Sequence, residues 1–440
     1  MKKFLVCLCL GINIPLPLEA QNTNWKLLDI YFDAIEQNER CMLSLAVLKN
    51  GELVYQRSTG FAYLEPSTKA NSQTIYGIGS ISKSFTAALC LKFIDQGLLK
   101  WETPLSTFFP QLPNADKIEI EHLLKHRSGL VNFTDQPAYA LWLHLPQSRE
   151  QMLKLFAENG TEFEPNSLEE YSNTNYVLLS YILEEVGGKP FGQLLEENVL
   201  KPLGLSNTYF RTEGEKRLNE AASFQYTNNW SSATVTHPSI PMGAGAIVST
   251  AADVALFFRK LLNGEVLQDQ TLNRMMLSEG RLSAGLFQFP YDTHRAWGHT
   301  GGIDGFASMA GYFKEADLGF CILSNGSRMP LNDVALAVLQ LAFDDKTPEI
   351  PDFSEMLLSS EELEKYAGTY SSTSFPLKLV VSYEKGRLIT QASGQAPITM
   401  EAKGQGVFIF TQAGIKLTFN TENKALVLEQ AGAKFNFTKE

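Results

Sequence analysis

The chain has 440 residues, 44% of them hydrophobic and 19% charged, with a formal net charge of −11. That length supports a large core and more than one domain. The acidic balance argues against nucleic acid and anionic membrane surfaces as partners and says little about a small-molecule or peptide substrate.

Lys2 and Lys3 open the chain, and the apolar run FLVCLCLGINI that follows is too short to span a bilayer. With Ala20 as a small residue before Gln21, residues 1–20 read as a secretory signal. The expectation is a periplasmic or secreted protein with no stable membrane insertion once the signal is removed. In the sequence MLSLAVLKNGELVYQRSTGF, Asn50-Gly51 separates two apolar-rich runs and predicts a β-hairpin. The stretch YGIGSISKSFTAALCLKFIDQG, from Tyr76 to Gly97, predicts a helix with Ile81, Phe85, Ala88, Leu89 and Phe93 at helical period and Gly97 as its stop.

A loop-rich middle carries the helical pieces IEIEHLLKH and SREQMLKLFAENG. TNYVLLSYILEEVGG, ended by Gly187 and Gly188, reads as a further helix, and so does STAADVALFFRKLLNG, capped by Ser249 or Thr250. From Ala296 the pattern changes to three strands, AWGHTGG, GFASMAGYFKE and LGFCILSNG, before LNDVALAVLQLAF returns to helix. Strands at both ends of one unit predict an antiparallel sheet closed by the two ends, with helices packed on it. A Pro- and acid-rich linker near KTPEIPDFSEM precedes short strands with Gly or Asn turns. The expected organisation is a signal over 1–20, an α+β domain over 21–348 and a small all-β barrel or sandwich over 349–440.

Outside the signal, three cysteines remain, Cys41, Cys90 and Cys321. They suggest small buried hydrophobes rather than a disulfide framework. No cysteine–histidine spacing resembles a metal site, so neither metal nor cofactor is expected.

Three stretches could carry chemistry. Ser80 and Lys83, at i and i+3, share a helix face. A serine hydroxyl needs a base to become a nucleophile, and a lysine can be that base if burial lowers its pKa. Tyr171-Ser172-Asn173 offers a proton relay and an amide that can hold both the lysine and a substrate carbonyl. His299-Thr300-Gly301-Gly302 lies on a predicted strand whose glycines admit a substrate backbone and whose N–H can serve an oxyanion. Each also has a plain structural reading: Ser80 as a helix cap, Ser172 or Asn173 as another, and a glycine-rich turn.

In order, Ser-x-x-Lys, Tyr-x-Asn and His-Thr-Gly resemble the serine β-lactamase-like superfamily, on the side of class C β-lactamases, serine DD-peptidases and related esterases. HLLKHRSGL, KPLGLSNTYF, GAGAIVSTAADVALF and GHTGGIDGF are similar stretches, and the resemblance runs from about residue 25 to 345. It implies an antiparallel sheet flanked by helices plus an all-helical subdomain, and an acyl-serine mechanism. On that resemblance Ser80 is the nucleophile, Lys83 its activating partner and Tyr171 the acid/base. Asn173, His299, Thr300 and Gly301 contact substrate, and the N–H groups of Ser80 and Gly302 form the oxyanion hole.

The chain departs from the pattern in two places. His299 stands where many relatives have lysine, and a histidine is charged only partly near neutrality, which predicts slow or absent β-lactam hydrolysis. FEPNSLEEYSN lacks the Pro-Gly of many relatives and carries Glu169 and Glu170, which either disfavour anionic substrates or are solvated loop charges. The other histidines read as structural, His126 as a positive side chain at a helix end. Arg295 reads as an exposed turn residue, and Asn132 to Thr134 forms a glycosylation triplet whose use depends on the host. The function expected is a serine hydrolase of ester or amide. A slowly acylating binding protein and a true class C-type β-lactamase are the alternatives, and oligomeric state is left open.

Overall fold

The computed structural model describes residues 23–440 apart from 215–217, 228, 279, 355, 357, 396 and 431. The secretory signal expected over 1–20 lies outside the described residues.

Helix α1 (Leu27–Gln37) leads into β1 (Cys41–Lys49) and β2 (Glu52–Thr59). The predicted hairpin forms because Asn50 and Gly51 take φ of 53° and 81°, the left-handed conformations that a tight turn requires and that these residue types adopt at low cost. Helix α2 (Ser82–Asp95) follows, then α3 (Asn173–Gly187) and α4 (Ala251–Leu262). Strands β3 (Phe287–Tyr291), β4 (His294–Ile303), β5 (Phe306–Phe313) and β6 (Leu318–Ser327) come next, and α5 (Leu331–Asp344) closes the unit.

The sheet is antiparallel, in the order β3-β4-β5-β6-β1-β2, so the first and last strands of the unit pair at its centre. The period of two along a strand sorts side chains onto opposite faces. Leu43, Leu45 and Val47 of β1 join Phe320 and Ile322 of β6 against α1 and α5. Ala46, Cys321 and Leu323 face the other way, into the larger core built around α2, α3 and α4. Helices therefore cover both faces. Strand β3 departs from the sequence reading, which began the late strands at Ala296. Pro290 disguises it, and proline is tolerated because β3 is an edge strand.

Helix α2 also departs from the expectation of a single apolar stripe. Every residue from Ser82 to Leu91 is buried. Its polar side chains are satisfied internally: Ser84 Oγ donates to Gly285 O at 2.6 Å and Thr86 Oγ1 to Gly243 O at 2.7 Å. A helix buried all round belongs to the centre of a core, and this one runs through it.

Beyond the linker, a short helix (Ser360–Glu364) precedes eight antiparallel strands, from Gly368–Ser371 to Ala433–Lys439, that close into a barrel. Leu388, Phe408, Leu417 and Leu426 fill its interior. Closure removes both sheet edges. The barrel docks on the first unit through Glu401, which receives Arg40 and Arg328; the Arg328 contact is 2.9 Å.

Candidate active site

Ser80 lies in the 3-10 turn Gly79–Ile81 that feeds α2, so it does not cap the helix. Lys83 sits one turn on and is fully buried. Its Nζ is 3.0 Å from Ser80 Oγ, 2.7 Å from Asn173 Oδ1 and 2.8 Å from Ala244 O. Burial holds its pKa well below the ordinary lysine value. A neutral amine has two N–H donors and one lone pair. The two carbonyl oxygens can only accept, so they take the donors, and the lone pair is left facing Ser80 Oγ.

Each partner of Lys83 is itself fixed. Ala244 belongs to the short helix Met242–Gly245. Gly243 in that helix lies so close to α2 and α3 that a Cβ there would stand 2.5 Å from both Ser180 Oγ and Thr86 Oγ1. Asn173 opens α3, its backbone N–H donating to Asn132 Oδ1 at 2.9 Å and its Nδ2 to Thr134 Oγ1 at 3.0 Å. Asn132 and Thr134, which the sequence presented as a glycosylation triplet, are thus the buttress of Asn173.

Tyr171 precedes α3, and its phenol donates to Ser80 Oγ at 2.8 Å. Burial raises the Tyr171 pKa, which keeps it protonated as a donor. The tyrosine ring stacks on His126, with centroids 4.5 Å apart. His126 is not the positive helix terminus that the sequence suggested. It is buried, its Nδ1 accepts the Ser172 N–H at 3.0 Å, and burial drives its pKa well below the usual value. It is a neutral support beneath Tyr171.

Gly301 and Gly302 run along β4 beside the Ser80 turn. A Cβ on Gly301 would lie 2.2 Å from Ile78 O and 2.9 Å from Ser80 N, so only glycine permits this approach. Gly302 has open space where a Cβ would be, and it lines a cleft of about 360 Å³ together with Ser80, Asn173 and Ala244. The structure thus brings Ser80, Lys83, Tyr171, Asn173, Gly301 and Gly302 together. His299 and Thr300 precede the two glycines on the same strand, and the field of Lys83 reaches His299.

His299 differs most from expectation. It is buried, stacked on Phe287 at 4.1 Å, and its Nδ1–H donates to Thr300 O. Burial first, and Lys83 second, push its pKa down to about 3. It is a neutral imidazole near neutrality, not a partial cation. Glu169 is also reassigned: its carboxylate accepts the backbone N–H groups of Arg281 (2.9 Å) and Leu282 (3.1 Å), which ties two loops together. Cys41, Cys90 and Cys321 are buried free thiols. Among the described residues no group of acidic, histidine or cysteine side chains could hold a metal ion, and no helix is long and apolar enough to cross a membrane.

Comparison with known proteins shows the family and the fold. The family model described as Beta-lactamase matches residues 32–343. Penicillin-binding protein 4* of Bacillus subtilis is 22% identical over 443 residues, covering 93% of this chain and 97% of that protein. The octameric penicillin-binding protein homologue from Pyrococcus abyssi shares the fold over 93% of this chain and 99% of its own, at a TM-score of 0.66 and 21% identity. D-amino acid amidase from Ochrobactrum anthropi superposes with a TM-score of 0.60 and 25% identity, over 68% of this chain and 91% of that one.

Proposed function

We propose, from the premise that this chain belongs to the Beta-lactamase family, that it is an exported serine hydrolase that cleaves an ester or amide through an acyl-serine intermediate. One observation carries the reading: the fully buried Lys83 Nζ is held by two carbonyl oxygens, with Ser80 Oγ at hydrogen-bond distance. That is the arrangement a neutral amine needs to act as a base.

In the proposed reaction, Lys83 takes the Ser80 proton as Oγ attacks the substrate carbonyl. The developing oxyanion lies against the N–H groups of Ser80 and Gly302. As the tetrahedral intermediate collapses, Tyr171 gives its phenolic proton to the leaving group and recovers one from Lys83. Water then attacks the acyl-serine by the same route in reverse. Asn173 orients both Lys83 and the acyl group.

The neutral, buried His299 supports a substrate range away from β-lactams, because it offers no charge to a substrate carboxylate. The likeness to a D-amino acid amidase supports amides within that range. The test is hydrolysis of a short-chain nitrophenyl ester by the wild type beside Ser80→Ala, with mass spectrometry of the quenched protein. The expected result is turnover and an acyl mass on wild type, both absent from the variant. Equal rates in the two proteins, or rapid turnover of a cephalosporin, would overturn the reading.

A further inference from the structure

The wall of the Ser80 cleft includes Thr234 and Thr236. Both follow a small hairpin in which Phe224–Tyr226 pairs with Trp230–Ser232. The period of two puts Phe224 and Tyr226 on one face, with Trp230 opposite Tyr226, while Gln225 and Ser231 pair on the exposed face. The inner end of this hairpin is built into the site. Ser223 Oγ accepts the Gly305 N–H at 2.7 Å, and a Cβ on Gly305 would stand 2.0 Å from Phe224 O, so the β4–β5 turn abuts the hairpin. Past the second strand, Thr236 donates to Asp304 Oδ1 of the same turn, from N at 2.9 Å and from Oγ1 at 2.7 Å. The outer end is gripped at Tyr226. Arg387, which opens the third strand of the barrel, donates from Nη1 to Tyr226 Oη at 3.2 Å. The Arg328 guanidinium lies 4.1 Å from the centre of the same ring and is itself held by Glu401 of the barrel. A two-stranded ribbon with three residues per strand is marginal by itself, so the contacts at its two ends set where it lies.

We propose that the barrel positions the wall of the cleft, with Arg387 acting through Tyr226 as a positioning residue for Thr234, Thr236 and the β4–β5 turn. The inference rests on the hydrolase reading above and gives the barrel a part in it. Ser80, Lys83 and Tyr171 stand in the turn before α2, on α2 and just before α3. The grip of the barrel reaches the opposite, strand-side wall. Loosening that grip therefore weakens substrate binding more than it slows the chemical step.

The experiment uses the full chain as Arg387→Ala, Arg387→Lys, Tyr226→Phe and the double variant Arg387→Ala/Tyr226→Phe. KM for the nitrophenyl ester is expected to rise by about two- to tenfold in Arg387→Ala and in Tyr226→Phe, the effect of one ordinary hydrogen bond, with kcat held within about twofold. Arg387→Lys keeps a donor and recovers part of the loss. The double variant matches the single ones, because both remove the same contact. Hydrogen exchange is followed in parallel over residues 230–236. It is expected to speed up in Arg387→Ala and to return towards wild type in Arg387→Lys. If no ester turns over, only the hydrolase reading fails, and that exchange pattern still supports the positioning. In an active enzyme, an unmoved KM, a fall in Tm alone or additive effects in the double variant overturns the proposal, and so does unchanged exchange over 230–236 in any case.

Discussion

Lys83 is a long cationic residue type with no exposed surface. Burying a lone ammonium is costly, so the folded state favours the neutral amine. The sign for catalysis follows. In the proposed reaction Lys83 serves as base only when deprotonated, so kcat/KM is expected to fall as pH drops through its lowered pKa and to rise above it. The neighbouring imidazoles do not confuse this limb, because His126 and His299 are both held below their ordinary range. Tyr171 is shifted upward, so its loss of a proton lies above the ordinary tyrosine value of 10.0. A pH–rate profile on a neutral ester is expected to show one ascending limb centred well below 10.5, with no descending limb below 10.0. An ascending limb at 10.5 would contradict the proposed role of Lys83.

At the scale of elements, the site depends on how closely β4 approaches the Ser80 turn. Gly301→Ala places a methyl against Ile78 O and Ser80 N, both backbone atoms that cannot swing aside. Overpacking of this kind costs about 1–3 kcal/mol. The expected result is a lowered Tm together with a fall in kcat/KM of more than tenfold on the nitrophenyl ester, since Ser80, the proposed nucleophile, is displaced. Gly302→Ala is the control for stability: its added methyl meets nothing within 4 Å, and Tm is expected to hold. Similar melting temperatures for the two variants would show that the approach is not as constrained as the packing indicates.

At the scale of the molecule, the barrel is joined to the first unit by a buried ionic cluster. Arg40 also donates to Phe353 O in the linker at 2.6 Å, so one side chain ties unit, linker and barrel together. Glu401→Ala would leave two nearly buried guanidiniums without their carboxylate. Removing one partner of a buried pair costs about 3–5 kcal/mol. Denaturant unfolding is expected to show a loss of that size, or an early transition as the barrel detaches. A change below about 1 kcal/mol, the range of exposed pairs, would mean that the cluster does not hold the barrel.

The sequence by itself determined the sheet-and-helix layout, the hairpin at Asn50-Gly51 and the order of the Ser80, Tyr171 and His299 stretches. Those features are local: turn chemistry, periodicity and short spacings are written in consecutive residues. Only the tertiary structure decided what those residues are to one another. Ala244 and Asn173 lie 161 and 90 positions from Lys83, and it is their convergence on one amine that leaves its lone pair facing Ser80. The same holds for His126 and His299, read as a helix-end cation and a partial cation. Composition supplies a histidine, but burial, which depends on the whole fold, sets its charge. Asn132 and Thr134 read as a glycosylation triplet because their contacts with Asn173, 41 and 39 positions away, are not written in consecutive residues.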